Sequence, residues 1–170
     1  LDGDFSASSV HGTTNAIALT QRSSTHYFQR PDRSDVQFDP TRTSLGGYAG
    51  QLAVTKLRGN WVGSLVYQDV SPGFEVNDIG LERLAGRHML STDFHYQSYT
   101  PGKLFNNFII WPFTNHSWDY DRTPLKNPGV PTYNFWFQGQ LRNFWNVVWW
   151  NGYTPRFVDD ELTRGGPSGR

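Results

Sequence analysis

Cysteine is missing from this 170-residue chain. That excludes a disulfide framework, a thiolate zinc site and a cysteine nucleophile. An excess of either charge is missing too, because 15 Lys and Arg stand against 15 Asp and Glu. Nothing therefore draws the whole chain toward nucleic acid or an acidic surface, and no nucleic-acid partner is expected. No run reaches the roughly 18 consecutive apolar residues of a membrane helix. Strands that alternate apolar and polar residues escape that test, so a barrel stays open. No secretory signal starts at Leu1, so a mature product or an internal section is expected. A Walker-type loop, a dinucleotide fingerprint and a Gly-x-Ser-x-Gly elbow are also absent. Aliphatic mass is scarce. Hydrophobic residues make up 36%, yet aromatics are 16%, with 7 Trp, 8 Tyr and 12 Phe. Such a balance suits a membrane barrel or a sugar-binding surface better than an aliphatic core.

The aromatic residues are patterned. Over residues 133–150 the odd positions carry Tyr133, Phe135, Phe137, Leu141, Trp145, Val147 and Trp149. Gln138, Gln140, Arg142 and Asn146 fall on even positions. Side chains of a strand alternate between two faces, so one face is greasy and the other is rich in amides. Read as one strand, Tyr133 to Trp149 spans on the order of 53 Å, or roughly 40 Å in height at a tilt of about 40°. That exceeds a membrane's apolar band of about 25 Å, so the strand is expected to project at one end. A turn near Gly139-Gln140 would divide it, but alternation continues through that point, and one strand is the favoured reading.

Other strand-like runs precede it. Residues 4–15 and 25–29 are weak. Residues 44–57 and 61–69, joined by Arg58-Gly59-Asn60, form the clearest hairpin. Residues 86–99 place Leu90, Phe94 and Tyr96 on one face and Asp93, His95 and Gln97 on the other. Residues 104–120 read as a strand in which Pro112 must sit at a bulge, an edge or a strand end. No convincing amphipathic helix is found, and the best short candidate, residues 77–84, contains Gly80. The rhythm gives seven or eight strands joined largely as neighbouring hairpins.

Four groups of polar residues could carry chemistry. Glu75 and Asp78 beside Phe74 could act as paired carboxylates or bind calcium, but a structured turn built on Asn77 and Asp78 is favoured. Trp118-Asp119-Tyr120-Asp121 could stack and hydrogen-bond a sugar. An interfacial aromatic belt with its acids in water is preferred. Asp159-Asp160-Glu161 could gather a cation, yet adjacent residues of an extended chain point to alternating sides, and a solvated loop is the better reading. Among His11, His26, His88, His95 and His116 no pair has compact zinc spacing, and His88 and His95 face opposite sides of one strand. No metal and no cofactor is expected.

Two segments resemble a known family. Trp61–Tyr67 runs into Ser71-Pro72-Gly73-Phe74-Glu75-Val76-Asn77-Asp78-Ile79-Gly80, with Arg83 soon after, and Leu162-Thr163-Arg164-Gly165-Gly166-Pro167 closes the chain. Both are similar to loops of uncharacterised bacterial outer-membrane proteins in which a family 9 carbohydrate-binding-like domain precedes a C-terminal membrane β-barrel. The resemblance covers about residues 45–167 and implies a section of that barrel. It supplies no catalytic residues.

The expectation is an all-β antiparallel meander of long strands, with residues 1–170 a single transmembrane barrel domain or an internal section of a larger one. It lies in the bacterial outer membrane and is not an enzyme. It acts as a membrane wall, a passage or an assembly partner. Phe135, Phe137, Leu141, Trp145, Val147, Trp149, Leu90, Phe94 and Tyr96 face lipid. Gln138, Gln140, Arg142, Asn146, Asp93, His95 and Gln97 face the lumen. Its expected partners are membrane lipid, with other chains of an outer-membrane complex and carbohydrate as further candidates. The alternative is a soluble secreted β-sandwich that binds carbohydrate through exposed Trp and Tyr. A β-rich glycosidase using Glu75 or Asp119 comes third.

Overall fold

The computed structural model describes residues 1–76, 85–127, 130–160, 162–163 and 165–167. The elements run β1 (Asp2–His11), α1 (Thr14–Arg22), β2 (Ser44–Lys56), β3 (Trp61–Val70), β4 (Arg87–Ser98), β5 (Phe105–Trp118), β6 (Pro124–Leu125), β7 (Tyr133–Leu141) and β8 (Asn146–Tyr153). All eight strands lie in one antiparallel sheet of order β1-β2-β3-β4-β5-β7-β8, with β6 beside β5. The fold is all-β, as the alternation predicts. Strands β1 and β8 are its two edges, and among the described residues no second sheet packs on it.

The hairpin of β2 and β3 falls where the sequence places it, and its turn contains Gly59 at φ +94°. β4 and β5 also match their predicted runs. Pro112, however, lies inside a central strand rather than at an edge or a strand end. Its partner on β7 is Phe135, while the β4 ladder is interrupted between the Asp93–Phe113 and Tyr96–Ile110 pairs. Its nitrogen faces β4 and has no N–H to donate, so that ladder opens there.

Residues 133–150 are not one strand. They form the hairpin of β7 and β8, closed by Arg142-Asn143-Phe144. Leu141 N–H donates to Trp145 O, Phe144 N–H donates to Leu141 O, and Phe144 takes φ 65°. This is a three-residue hairpin loop with a left-handed third position. Arg142 therefore belongs to the turn and Trp145 to the pair that closes it, both outside the two strands, and Arg142 Nη1 donates to Asn106 Oδ1 at 3.1 Å. The register pairs odd residues with odd ones, as in Phe137–Trp149 and Gly139–Val147. Odd and even residues therefore still fall on opposite faces of the hairpin.

The N-terminal third differs more. Residues 14–22 are a helix that the sequence reading does not predict. Thr13 caps it, accepting from Ala16 N–H at 3.3 Å. Residues 25–29 are turn rather than strand, with Tyr27 at φ 49°. The helix candidate at residues 77–84 lies outside the described residues.

Connections are unequal at the two ends of the sheet. Residues 57–60, 99–104 and 142–145 make short turns at one end. Residues 12–43, 71–86 and 119–132, and the segment after Tyr153, gather at the other. The described parts of these connections fold onto one face, where buried side chains sit: Phe28, Val36 and Leu45 with Phe38, and Val70, Phe74 and Ala85 with Ala49 and Val76. That face is called the inner face below.

Candidate functional site: a two-faced wall and its buried cap

Following the register across the sheet assigns every strand residue to a face. Trp61–Tyr96–Ile110–Phe137–Trp149 is one outer row, and Leu52–Tyr67–Leu90–His116 is another. Phe94 and Gly63 pair on the same side. Leu90, Phe94, Tyr96, Phe135, Phe137, Leu141, Val147 and Trp149 are thus brought together on one surface. Leu52, Val54, Leu65, Tyr67, Trp61 and Phe5 extend it, and those six are 37–74% exposed. Polar groups on this face bond to one another, as Tyr67 Oη does with His88 Nδ1 at 2.9 Å and Thr92 with Thr114 at 2.8 Å.

Aromatic rings concentrate in two zones of the outer face. Near the short turns, Trp61 stacks on Phe94 at 5.2 Å and meets Tyr96 at 4.8 Å, and Phe105 lies 5.7 Å from Phe137. Near the long connections, His88 packs against Trp118 and Tyr120, and Tyr133 stacks on Tyr153. Asp69 is the carboxylate of this second zone. It accepts from Tyr120 Oη and Tyr48 Oη, and His88 Nδ1 lies 3.2 Å away. Burial, then the bond to Asp69, pushes the Tyr120 phenol well above its ordinary range.

The inner face carries Asp93, His95, Gln97, Gln138, Gln140 and Asn146, together with Gln51, Gln68, Ser91, Asn115 and Asn134. Several pair with one another, across strands or along one. Gln68 donates to Gln51, Ser91 Oγ to Asn115 Oδ1 at 3.1 Å, and His95 Nδ1 contacts Asp93 Oδ1 at 3.2 Å. His88 and His95 lie on opposite faces. Trp111, Trp136 and Trp150 also point inward, so the inner face mixes amides with indoles.

A cap covers one end of the inner face, and Ser71-Pro72-Gly73-Phe74 fixes it. Ser71 N–H donates to Tyr48 O, and Tyr48 N–H donates to Ser71 Oγ at 2.7 Å. Pro72 O accepts from His26 Nδ1 at 2.8 Å, and Glu75 N–H donates to Ser8 Oγ. His26 Nε2 lies 2.9 Å from Glu75 Oε2, with the ring fully enclosed. A carbonyl can only accept, so Nδ1 carries a proton. Glu75 thus meets a histidine distant in sequence, and Asp78, its suggested partner, lies outside the described residues.

A second buried knot lies beside it. Arg87 is 1% exposed and donates through Nη2 to both oxygens of Asp160, at 3.0 and 3.2 Å. Arg30 Nη1 lies 3.7 Å from the same carboxylate, and burial lowers its guanidinium below the usual range. Asp160 is therefore a structural counter-ion, not a solvated loop residue. Asp159 turns the other way, to Lys126 at 2.9 Å. The alternating-sides argument holds for these two acids, and Glu161 lies outside the described residues. Alternation also splits Trp118-Asp119-Tyr120-Asp121. Trp118 and Tyr120 join the outer aromatic zone. Asp119 is buried, and its carboxyl is raised by that burial while accepting from Thr123 N–H at 2.7 Å. Asp121 accepts from Ser34 N–H and Oγ. The acids of this run do not converge on one ligand position.

Residues 2–160 match the family model described as "Domain of unknown function (DUF5916)". No curated protein and no solved structure matches the chain.

Proposed function

We propose that this chain, which belongs to the DUF5916 family, forms part of the wall of a bacterial outer-membrane β-barrel and carries out no catalysis. One observation carries the reading: the long strands share one outer surface of exposed and partly exposed apolar and aromatic side chains. A soluble monomer rarely leaves more than a few hundred Å² of contiguous apolar surface in water. In a bilayer it is solvated by acyl chains.

Three further features support it. The β7–β8 hairpin removes the mismatch of length. The nine residues of β7 rise about 30 Å, or roughly 23 Å in height at a tilt of about 40°, close to an apolar band of about 25 Å. The strands are staggered, as tilted barrel strands must be: the register line that leaves β2 at Val54, near its turn end, reaches β7 at its first residue, Tyr133. Short turns at one end and long connections at the other repeat the asymmetry of such barrels. The two aromatic zones then serve as interfacial girdles, and the amide face lines the lumen beneath the cap. The likeness of the Ser71–Phe74 and Gly165–Pro167 loops to those of outer-membrane proteins bearing a family 9 carbohydrate-binding-like domain agrees with this reading.

The test uses single-tryptophan variants, the other indoles replaced by Phe, folded into vesicles of lipids brominated on their acyl chains. Trp149 and Trp61 are expected to be quenched strongly, and Trp136 and Trp111 weakly. Equal quenching of both sets, or a chain that stays monomeric in plain buffer and ignores the vesicles, refutes the wall.

A further inference from the structure

The three short turns form one rim. Asn60 Nδ2 donates to Gln97 O at 2.9 Å, and Gln97 N–H donates to Asn60 O at 2.8 Å. These bonds tie the first turn to the end of β4, where the second begins. Arg142 N–H donates to Leu104 O at 3.0 Å, which ties the second turn to the third.

Turn residues at a water-facing end are ordinarily small and polar. Here every turn carries large apolar groups. Leu57, Tyr99, Leu104, Phe144 and Trp145 are 63–81% exposed.

The rim is also of one sign. Lys56, Arg58, Lys103 and Arg142 are exposed, and residues 55–61, 98–105 and 141–146 contain no Asp or Glu. None of the four cations meets a carboxylate among the described residues. Lys56 Nζ donates to Trp61 O and Arg142 Nη1 to Asn106 Oδ1, neutral acceptors that leave the charge uncompensated. Asp2 and Asp93 stand further down their strands, opposite Ala53 and Ser64. At the other end of the sheet Arg33, Arg87 and Lys126 each meet an aspartate.

Uncompensated cations beside exposed apolar groups match a partner with negative charge and hydrocarbon in one layer. The interface of an anionic phospholipid has both. The rim is continuous with the aromatic zone of the outer face, because Trp61 follows Asn60 directly and packs on Tyr96, three residues before Tyr99. Resting on the wall reading above, we propose that the short-turn rim binds anionic phospholipid headgroups in preference to zwitterionic ones. The four cations lie against the headgroup phosphates, and the five apolar side chains enter the glycerol and upper acyl layer.

The experiment uses single-tryptophan variants that retain Trp145 or Trp149, folded into phosphatidylcholine vesicles. Quenching of Trp149 by acyl-brominated phosphatidylcholine scores the wall reading by itself. Trp145 is then quenched by phosphatidylglycerol or by phosphatidylcholine, each carrying a nitroxide next to its headgroup. One cation near the surface strengthens association with anionic lipid by about fivefold. The phosphatidylglycerol quencher is therefore expected to associate at Trp145 at least about fivefold more tightly. That preference should vanish in a variant carrying Lys56→Gln, Arg58→Gln, Lys103→Gln and Arg142→Gln. It should vanish equally in about 1 M salt, where screening acts within about 3 Å. The salt measurement decides the matter if the variant does not fold. Given a quenched Trp149, three results overturn the proposal: equal quenching of Trp145 by the two lipids, a preference that survives either treatment, or a Trp145 that neither lipid reaches, as a surface for a soluble partner would give.

Discussion

Replacing Gly47 by alanine should detach the cap from the sheet. A Cβ at Gly47 would stand 2.5 Å from the Gly73 carbonyl carbon and 2.6 Å from Phe74 Cα, both backbone atoms. Ordinary contact begins near 3.4 Å, so the strap must withdraw by about 1 Å. Phe74 is 4% exposed, and its burial is worth about 1.5–3 kcal/mol. The two Ser71–Tyr48 hydrogen bonds add about 1 kcal/mol each. The expected loss is about 3 to 5 kcal/mol. With a urea slope of about 2 kcal/mol per M, the midpoint falls by roughly 2 M. Gly46 is the internal control. It lies next door on the opposite face, where an added Cβ meets only Ser8 O at 3.6 Å, so Gly46→Ala should shift the midpoint little. The readouts are urea unfolding and the imidazole resonances of His26, which report cap closure directly. If Gly47→Ala unfolds at the same urea concentration as Gly46→Ala and leaves the His26 signals in place, the backbone-on-backbone seat of the strap is wrong.

Two more outcomes follow from the buried charges. Asp160→Asn leaves Arg87 and Arg30 without their counter-ion and should cost about 3–5 kcal/mol, measured as the fall in unfolding free energy; a neutral result would show the pair to be dispensable. Asp119 is raised by burial, so the folded chain holds this proton to higher pH than the unfolded chain does. Its contribution to stability is fullest in acid and declines as pH climbs from the ordinary carboxylate value through the elevated one. Asp119→Asn keeps an acceptor for Thr123, so the wild-type-minus-variant difference in urea midpoint should become more negative over that rise, and a flat difference would contradict the assignment.

The sheet was legible where outward and inward residues differ in kind. In β4, Leu90, Phe94 and Tyr96 alternate with Asp93, His95 and Gln97, and period-2 reading needs nothing more. The β7–β8 turn was hidden because Arg142-Asn143-Phe144 contains neither Gly nor Pro, and a phenylalanine occupies the left-handed position. Gly139, the tempting break, is instead a strand residue over which the Phe105 ring lies. Helix α1 was illegible because one of its two buried residues is polar. Gln21 is fully enclosed, exchanging hydrogen bonds with the backbone of Asp39 at 2.8 and 2.9 Å. The two knots under the cap join residues far apart in the chain, such as His26 with Glu75 and Arg87 with Asp160. Spacing arguments cannot reach such pairs.

The cap also imposes an order of assembly. Ladder contacts from β2 to β5 and from β7 to β8 join neighbours in the chain and close cheaply, whereas the strap at Ser71–Glu75 must find Ser8, His26 and Tyr48 after β3 has been made. Short-range contacts form faster than distant ones. The strands should therefore zip early while the N-terminal region waits unlatched, and a late kinetic phase, visible at His26 and abolished by Gly47→Ala, would mark the moment it locks.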